Sequence, residues 1–252
     1  MSYDNKLALY YDRIYSDKDY ESECQMILRC TGYTDEFKLL DIGAGTCSHS
    51  IILSKYFKEI TAVDLSYSML QIGKQKLINA GITNVSTHCK DLDLLELDSQ
   101  FDVCISMFNV VNHVQTVKDL RQFFEVVSKT LKIGGRFVFD CWNGAACYIE
   151  KPKQITSKII KSNEYEFKSL TTTATDLMKG TSKMHTTTSI YRNGDLLDMF
   201  PHEINVRIWT PDLLSELLED SGLGVAKIVS SNDEYRQATD ADYRLVFVCE
   251  KE

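Results

Sequence analysis

Four residues in one short stretch, Asp41, Gly43, Gly45 and Ser48, have the types and spacing of a turn that binds a small cofactor. Apolar residues precede them and predict a buried strand that ends at this turn. The two glycines allow the backbone to turn tightly and to approach a ligand without an intervening Cβ, and Ser48 can cap the helix that follows. The carboxylate of Asp41 favours a ligand that carries a positive charge.

Two cofactors compete for this turn. The dinucleotide pattern G-x-G-x-x-G/A requires a small residue where this chain has Ser48, and Asp41 would repel a pyrophosphate. S-adenosyl-L-methionine (SAM) carries an ammonium and a sulfonium that Asp41 could pair with. The stretch therefore favours SAM.

Two further carboxylates follow predicted strands. Asp64 closes the second strand, 21 residues after Gly43, which suits an acid that receives both ribose hydroxyls of a cofactor. The alternative is that Asp64 caps the next helix, and the glycine turn upstream favours the ribose role. Asp91 could accept a hydrogen bond from an adenine amino group, or it could be a surface acid in the turn at residues 90–93; the sequence leaves both open.

Composition excludes several classes of function. The 252 residues are 44% hydrophobic, which allows one large core with a small appended unit. The net charge of -8 gives no bulk attraction to nucleic acid phosphates or anionic membranes, so neither is an expected partner. The sequence shows neither an apolar run of membrane-spanning length nor a signal-peptide pattern, so we expect a cytoplasmic protein that acts on small molecules.

Eight cysteines are scattered along the chain without a C-x-x-C pair, and four of them lie in apolar, strand-like runs. This pattern predicts reduced cysteines in the core. We expect neither a disulfide framework nor a metal site.

Strands and helices alternate over residues 37–141, which predicts an α/β fold with a doubly wound, mostly parallel sheet. A helical cap over residues 1–36 precedes this core, and residues 209–252 complete a seven-stranded sheet. The predicted helices include one near residues 48–57 and one over residues 117–131. A helix beginning at Thr210-Pro211 is expected to end at Gly222.

Residues 142–208 are rich in Thr, Ser, Tyr, Lys and Ile in alternating patterns, with a hairpin signal at Asn193-Gly194. They predict an inserted unit of three or four antiparallel strands. We expect this insert to cover the substrate or to form a dimer contact, so the protein is either a monomer or a homodimer.

Five sequence blocks resemble, in order and spacing, those of the class I SAM-dependent methyltransferases, whose fold is Rossmann-like. The blocks are residues 39–45, 62–66, 91–92, 101–103 and 131–135. Residues 11–15, 18–20 and 106–113, together with the strand-rich insert, are similar to the subgroup that dimethylates the amino group of nucleotide-linked deoxyaminosugars. One residue departs from the family pattern: Cys47 stands where a third glycine is common.

The resemblance implies SAM as the cofactor and assigns roles to individual residues. The expected cofactor-binding residues are Tyr11, Tyr20, Asp41, Gly43, Ala44, Gly45, Asp64, Leu65, Met69, Asp91, Leu92 and Met107. The expected substrate-binding residues are Tyr15, Asn109, Trp142 and Arg244. For Tyr11 and Tyr20 the alternative is packing of the cap, for Arg244 an edge-strand charge, and for Trp142 core packing. Asn143 and His202 lie at the borders of the insert and could also line an acceptor pocket.

His113 is the expected catalytic residue. Methyl transfer from a sulfonium is an in-line displacement, so the enzyme mainly has to hold the nucleophile and exclude water. A neutral histidine could take the proton of an amine as the methyl group moves. The alternative is a loop histidine bonded to the backbone.

These residues predict SAM-dependent methyl transfer to a small-molecule acceptor, with the amino group of a nucleotide-linked sugar as the favoured acceptor. N- or O-methylation of another metabolite, such as an amino acid or a carboxylate, is an alternative. A SAM-binding protein without catalysis is a second alternative, and a dehydrogenase is a weaker third.

Overall fold

The computed structural model describes residues 5–91, 100–162, 164–231 and 233–252. Its helices are α1 (Asn5–Ile14), α2 (Tyr20–Thr31), α3 (Ser48–Leu53), α4 (Tyr67–Asn79), α5 (Val110–His113), α6 (Val117–Thr130), α7 (Gly144–Ile149) and α8 (Pro211–Asp220). Its strands are β1 (Lys38–Ile42), β2 (Glu59–Asp64), β3 (Val85–Cys89), β4 (Phe101–Ser106), β5 (Leu131–Trp142), β6 (Ile155–Ser162), β7 (Tyr165–Asp176), β8 (Thr181–Arg192), β9 (Asp195–Arg207), β10 (Leu223–Ser230), β11 (Asp233–Gln237) and β12 (Arg244–Lys251).

The central sheet has the strand order β11-β10-β12-β5-β4-β1-β2-β3. Strands β1 to β5 pair in parallel, whereas β12 and β10 join the sheet antiparallel. The predicted α/β fold class is confirmed. The sheet has one strand more than predicted, because the short polar strand β11 pairs with β10 at the edge. Its polar residues, Asp233-Glu-Tyr-Arg-Gln237, lack the apolar alternation by which a strand is found in sequence.

The sheet is buried on both faces, because consecutive residues of β1 enter different cores. Leu39 packs with residues of α2, and Leu40 packs with residues of α6 and α8. The strand order reverses between β1 and β4. In open α/β sheets, ligands bind beside the carboxyl ends of the strands at such a reversal. The glycine turn and residues 107–113 lie at these two strand ends.

The insert is a separate antiparallel sheet with the order β6-β7-β8-β9. Asn193 and Gly194 join β8 to β9 with φ angles of 52° and 95°, as a type I′ hairpin turn requires. Phe167 and Phe200 of the insert pack in one apolar cluster with Tyr11 of α1 and Met69 of α4. The cap and the insert therefore meet above the glycine-turn end of the central sheet.

Two details of the predicted elements are wrong. Helix α3 ends at Leu53, and its N-cap is Cys47, so Ser48 is the first helical residue and not the cap. Apolar residues predict a strand at 136–141, but strand β5 begins at Leu131, which pairs with Phe101 of β4. The register then shifts across the two-glycine segment, and regular pairing with β4 resumes at Arg136. Within the described ranges, the helices are all too short or too polar to cross a membrane.

Candidate active site

The glycine turn is held in place by β2 and depends on glycine for space. The backbone N–H groups of Gly43 and Ala44 both donate to the Val63 carbonyl, at 2.8 and 3.0 Å. Gly43 has φ 75°, and a Cβ at this position would lie 2.5 Å from Cγ2 of Val110. Any side chain here would collide with α5, so the turn and α5 approach each other only because residue 43 is glycine.

Cys47, which departs from the family pattern, takes a left-handed conformation with φ 59°. Its thiol is buried and directed at α4, where a Cβ on Gly73 would lie 2.6 Å from Cys47 Sγ. The space that a third glycine would leave empty is thus filled by the thiol. The absence of a side chain at Gly73 makes this possible.

Asp41 is buried, and its Oδ2 accepts a hydrogen bond of 2.6 Å from Ser50 Oγ of α3. Burial raises the pKa of its carboxyl, whereas the nearby His49 and the Ser50 hydrogen bond lower it. Asp41 lines none of the cavities described below. Direct pairing with a cofactor ammonium stays a prediction, and the contact that the structure shows is support of α3.

Asp64 connects the glycine turn to the start of α4. Its Oδ2 accepts from the Gly45 N–H at 2.8 Å, and its Oδ1 accepts from the Ser66 N–H at 2.7 Å. The N-cap of α4 is Ser66, whose hydroxyl accepts from the Met69 N–H. Burial raises the pKa of the Asp64 carboxyl, against the lowering effect of these hydrogen bonds. Asp64 also borders a cavity, which leaves the ribose role open to it.

A cavity of about 480 Å³, the donor cavity, lies along the carboxyl ends of the parallel strands. It brings together most of the predicted cofactor-binding residues and the predicted catalytic residue: Tyr11, Gly43, Gly45, Asp64, Leu65, Met69, Asp91, Met107 and His113. Leu92 lies outside the described residues. Sequence analysis missed the side of the cavity formed by α6 and the preceding loop, namely Gln115, Asp119, Gln122 and Phe123. The last three lie on one face of α6, so their helical spacing in the sequence could have indicated that they share a surface.

A small side pocket of about 30 Å³ extends the donor cavity towards α2 and α3. Tyr20, Ala44 and His49 line it. Beneath it, Glu23 accepts from His49 Nε2 at 2.8 Å and pairs with Lys18. Burial opposes ionisation of Glu23, but the His49 hydrogen bond and the charges of His49 and Lys18 lower its pKa to about 2. This partly buried network holds α2 against the pocket. Tyr20 therefore borders the pocket and also packs against the His49 ring.

A second polar cluster ties α1 to the glycine turn. Asp12 accepts from Thr46 Oγ1 at 2.5 Å and from Lys76 Nζ at 2.8 Å. Lys76 also donates to Ser48 Oγ at 3.0 Å. This is the observed role of the Ser48 hydroxyl, in place of helix capping. The cap is therefore held over the turn by charge as well as by apolar packing.

The segment after β4 has an unusual backbone. Phe108 and Asn109 both have positive φ, 71° and 63°, which is costly for residues with a side chain. Asp140 of β5 stabilises this turn, since its Oδ1 accepts from the Asn109 N–H at 2.8 Å. Its Oδ2 accepts from Arg244 Nη2 at 2.5 Å. Neither Asn109 nor Arg244 lines the described cavities, so their substrate contacts stay predictions.

His113 borders the donor cavity and also reaches the insert. Burial lowers the pKa of its imidazole below the ordinary value of 6.5, against the raising effect of a hydrogen bond with the backbone of Asn205 on β9. The imidazole faces the cavity, and its buried Nδ1 has no hydrogen-bond partner among the described residues. A neutral imidazole at physiological pH is the form that can accept a proton.

A second cavity of about 650 Å³, the insert cavity, lies between the insert, α1 and the end of β5. Tyr15, Trp142 and His202 line it, together with Lys151, Lys153 and several threonines. Asn143 is instead buried as the N-cap of α7, with its Oδ1 accepting from Ala145 N–H. Tyr15 separates the two cavities: its ring centroid lies 4.7 Å from that of Tyr11 and 5.1 Å from that of Phe108, both of which line the donor cavity.

Comparison with known proteins shows which proteins this chain is similar to. Residues 39–135 match the family model of a methyltransferase domain. The malonyl-[acyl-carrier protein] O-methyltransferase of Bacillus cereus is 36% identical over 99 residues, which are 38% of this chain and 35% of that protein. The dTDP-3-amino-3,4,6-trideoxy-alpha-D-glucopyranose N,N-dimethyltransferase of Streptomyces venezuelae is 28% identical over 136 residues, which are 52% of this chain and 55% of that protein. The chain thus spans about a third to about half of these relatives.

Solved structures are similar over nearly the whole chain. A SAM-dependent methyltransferase from Clostridium acetobutylicum has a TM-score of 0.81 at 23% identity and covers 98% of both chains. SAM-bound CalS10, an amino pentose methyltransferase from Micromonospora echinaspora, has a TM-score of 0.76 at 18% identity and covers 100% of this chain and 98% of its own. At these identities the likeness concerns the fold.

The cradle at Gly43 and the carboxylate of Asp64 fit a nucleoside cofactor. The donor cavity is lined by three aspartates and one lysine, so it fits a sulfonium better than a pyrophosphate. The family match confirms the predicted resemblance to methyltransferases. The SAM-bound neighbour shares the fold of this chain, and SAM is the cofactor that the sequence predicts. Residues 39–135 of this chain are thus similar to a methyltransferase domain.

Proposed function

We propose that this protein transfers a methyl group from SAM to the amino group of a small hydroxylated acceptor, a nucleotide-linked sugar. One observation carries the proposal: two cavities meet at a wall of three aromatic rings, Tyr11, Tyr15 and Phe108. The donor cavity has the cradle and carboxylates that suit SAM. The insert cavity offers hydroxyls and lysines, which suit a polar, anionic acceptor.

Named residues would hold the cofactor. Asp64 would receive the ribose hydroxyls, and Asp91 would accept from the adenine amino group. Tyr11 and Tyr20 border the pocket beyond the glycine turn, where the amino acid end of SAM would lie. When bound, SAM supplies a methyl group activated by a sulfonium. Everything else in the reaction is positioning, exclusion of water and removal of one proton.

His113 is the group we assign to proton removal. The new N–C bond forms as the S–C bond breaks, and its electron pair leaves with sulfur, so S-adenosylhomocysteine is the second product. The acceptor nitrogen must lose a proton, which the neutral imidazole of His113 can accept. Its lowered pKa supports this role, because burial keeps the ring neutral before the proton arrives.

The choice of acceptor draws on the relatives as well as on the cavity. The Streptomyces venezuelae relative is named for N,N-dimethylation of a dTDP-linked aminosugar, and CalS10 is an amino pentose methyltransferase. The Bacillus cereus relative is an O-methyltransferase, but its match covers only 99 residues, 38% of this chain. A match of that extent covers about a third of each protein, so we draw no argument from it for an O-linked acceptor.

The test is product formation from a panel of acceptors. The purified protein is incubated with SAM and, separately, with dTDP-3-amino-3,4,6-trideoxy-α-D-glucopyranose, glycine or malonate, and both S-adenosylhomocysteine and methylated product are followed by mass spectrometry. We expect one and then two methyl groups on the aminosugar. Turnover only with glycine or malonate would contradict the acceptor class. Tight SAM binding without turnover on any acceptor would favour a non-catalytic role, and binding of NAD without SAM would indicate a dehydrogenase.

A further inference from the structure

A row of polar side chains crosses the insert sheet on one face. In the strand register, Thr156 of β6 lies opposite Thr171 of β7, Thr171 opposite Thr186 of β8, and Thr186 opposite His202 of β9. All four residues line the insert cavity. Thr171 and Thr186 share a hydrogen bond of 2.8 Å between their hydroxyls. We call these four residues the threonine row.

His202 ends the threonine row and has unused hydrogen-bonding capacity. Neither of its ring nitrogens is hydrogen-bonded to a residue that the structure describes, and Nδ1 is shielded from water. Burial lowers the pKa of the imidazole, so the ring is neutral at physiological pH. A neutral imidazole has one donor and one acceptor, and no contact fixes which nitrogen holds the proton. A ligand hydroxyl in the cavity could therefore hydrogen-bond with this imidazole as donor or as acceptor.

The rim of the same cavity is cationic, although the protein as a whole is acidic. Lys151 and Lys153 are exposed and make no ion pair with other described residues, and Lys158 pairs with Asp17 at 2.6 Å. Glu150 is the one carboxylate among the cavity-lining residues. Two uncommitted ammonium groups at the mouth of a hydroxyl-lined cavity favour an anionic group on the ligand, and phosphate is the common biological anion that lysine binds.

We propose that the insert cavity is a sugar-phosphate subsite. Lys151 and Lys153 bind the phosphates of the acceptor, and the threonine row, which includes His202, binds its sugar hydroxyls. His202 is then a specificity-determining residue for the acceptor. The inference rests on the proposed function only for the identity of the amine. The binding of phosphate and hydroxyl groups is argued from the cavity itself. The aromatic side chain of Tyr15, at the inner end of this cavity, would place the bound sugar beside the donor cavity.

Calorimetric titration of the full chain saturated with S-adenosylhomocysteine tests the subsite without turnover. The probes are inorganic pyrophosphate, dTDP and dTDP-3-amino-3,4,6-trideoxy-α-D-glucopyranose. In the double variant K151M/K153M we expect affinity for dTDP and for the sugar nucleotide to fall about tenfold. The control is K118M/K129M on α6, which removes two exposed lysines outside the cavity and should leave all affinities unchanged.

The threonine row has a matched control on the same strand. Thr186→Val removes a hydroxyl that lines the cavity, whereas Thr188→Val removes one that does not line it and that pairs with the lining residue Ser169 at 3.0 Å. We expect Thr186→Val and His202→Leu to lower affinity for the sugar nucleotide about fivefold while affinity for dTDP is retained, and His202→Asn to restore part of the loss.

The outcomes separate this inference from the proposed function. Unchanged dTDP affinity in K151M/K153M, or equal losses in Thr186→Val and Thr188→Val, would overturn the subsite. Pyrophosphate binding that survives every variant would place the phosphate site elsewhere. If the affinities respond as expected but no acceptor is methylated, the subsite stands and the proposed reaction fails. Thermal unfolding of each variant, compared with the unmodified chain, identifies any that fail to fold.

Discussion

The donor cavity and the insert cavity are built in opposite ways. The donor cavity takes most of its lining from short segments that follow consecutive strands, so each contact group is contiguous in sequence. The insert cavity is lined by residues from α1, the end of β5, and all four strands of the insert. Contiguous backbone turns can be recognised from residue type and spacing. For a wall built from alternate residues of several strands, the strand register must be known before the residues that lie side by side can be identified.

This difference predicts that a substitution in one cavity leaves ligand binding in the other cavity unchanged. Substitutions around the glycine turn should alter SAM affinity and leave acceptor affinity nearly unchanged. Substitutions in the threonine row should do the reverse. His113 is the exception, because it lines the donor cavity while it bonds to a strand of the insert.

The largest expected effect is therefore at His113. His113→Ala should lower kcat about 100-fold or more, because proton removal is lost, and should change SAM affinity less than twofold. The base acts in its neutral form, so the rate falls as pH falls through the pKa of His113. Since burial lowers that pKa, this acid limb should lie below pH 6.5.

The His113 variants are compared by steady-state kinetics across pH, with SAM affinity measured by calorimetry. His113→Asn should also lack the acid limb, while any limb that belongs to the acceptor amine should remain in every variant. An unchanged kcat would remove His113 from the mechanism. A loss of SAM affinity equal to the loss of kcat would make it a structural residue.

The next effect concerns the donor cavity alone. Asp64→Asn should weaken SAM binding by about 30-fold, because a charged acceptor for the ribose hydroxyls is replaced by a neutral group. Binding of dTDP should change little if the two regions are independent. Because Asp64 also accepts from the Gly45 and Ser66 N–H groups, thermal unfolding without ligand must be measured beside calorimetry. SAM affinity equal to that of the unmodified chain would exclude the ribose role.

The third effect is on stability and concerns Gly73, which packs against Cys47, the residue that departs from the family pattern. Gly73→Ala should destabilise the fold by about 2 kcal/mol, because the added Cβ would lie 2.6 Å from Cys47 Sγ and 3.0 Å from the Thr46 carbonyl carbon. In the double variant Cys47→Gly/Gly73→Ala, the clash with sulfur is gone and part of this cost should disappear. Urea unfolding of both single variants and the double variant gives the coupling. Additive effects would show that Cys47 and Gly73 do not share this space.

The smallest effect distinguishes two roles of Arg244. If Arg244 acts through Asp140 on the turn at Phe108 and Asn109, Arg244→Lys keeps a cation beside Asp140 and should lower stability by about 1 kcal/mol, with a small change in the acceptor KM. If the guanidinium contacts the acceptor, KM should rise several-fold while stability is retained. Chemical unfolding and acceptor kinetics on the same preparation separate the two.

Much of the fold and of the donor cavity could be predicted. The alternation of strand and helix gave the α/β class, and the turn with its downstream acid indicated the cofactor. The face of α6 could have been found from helical spacing but was missed. Other features had no sequence signal: the edge strand β11 is polar, and helix α3 begins at Ser48 because Cys47, in a left-handed conformation, takes the N-cap position.

Sequence alone determined the segments whose chemistry is local, because a glycine turn or a strand-end carboxylate has its function within a few residues of backbone. Asp41 shows the limit: its type suggested a contact with the cofactor, but only the folded chain shows that its Oδ2 accepts a hydrogen bond from Ser50 of α3. Tertiary structure decided which side chains face a common space. The threonine row, the aromatic wall and the pairing of Cys47 with Gly73 each join residues far apart in sequence, and only strand register and helix packing bring them together.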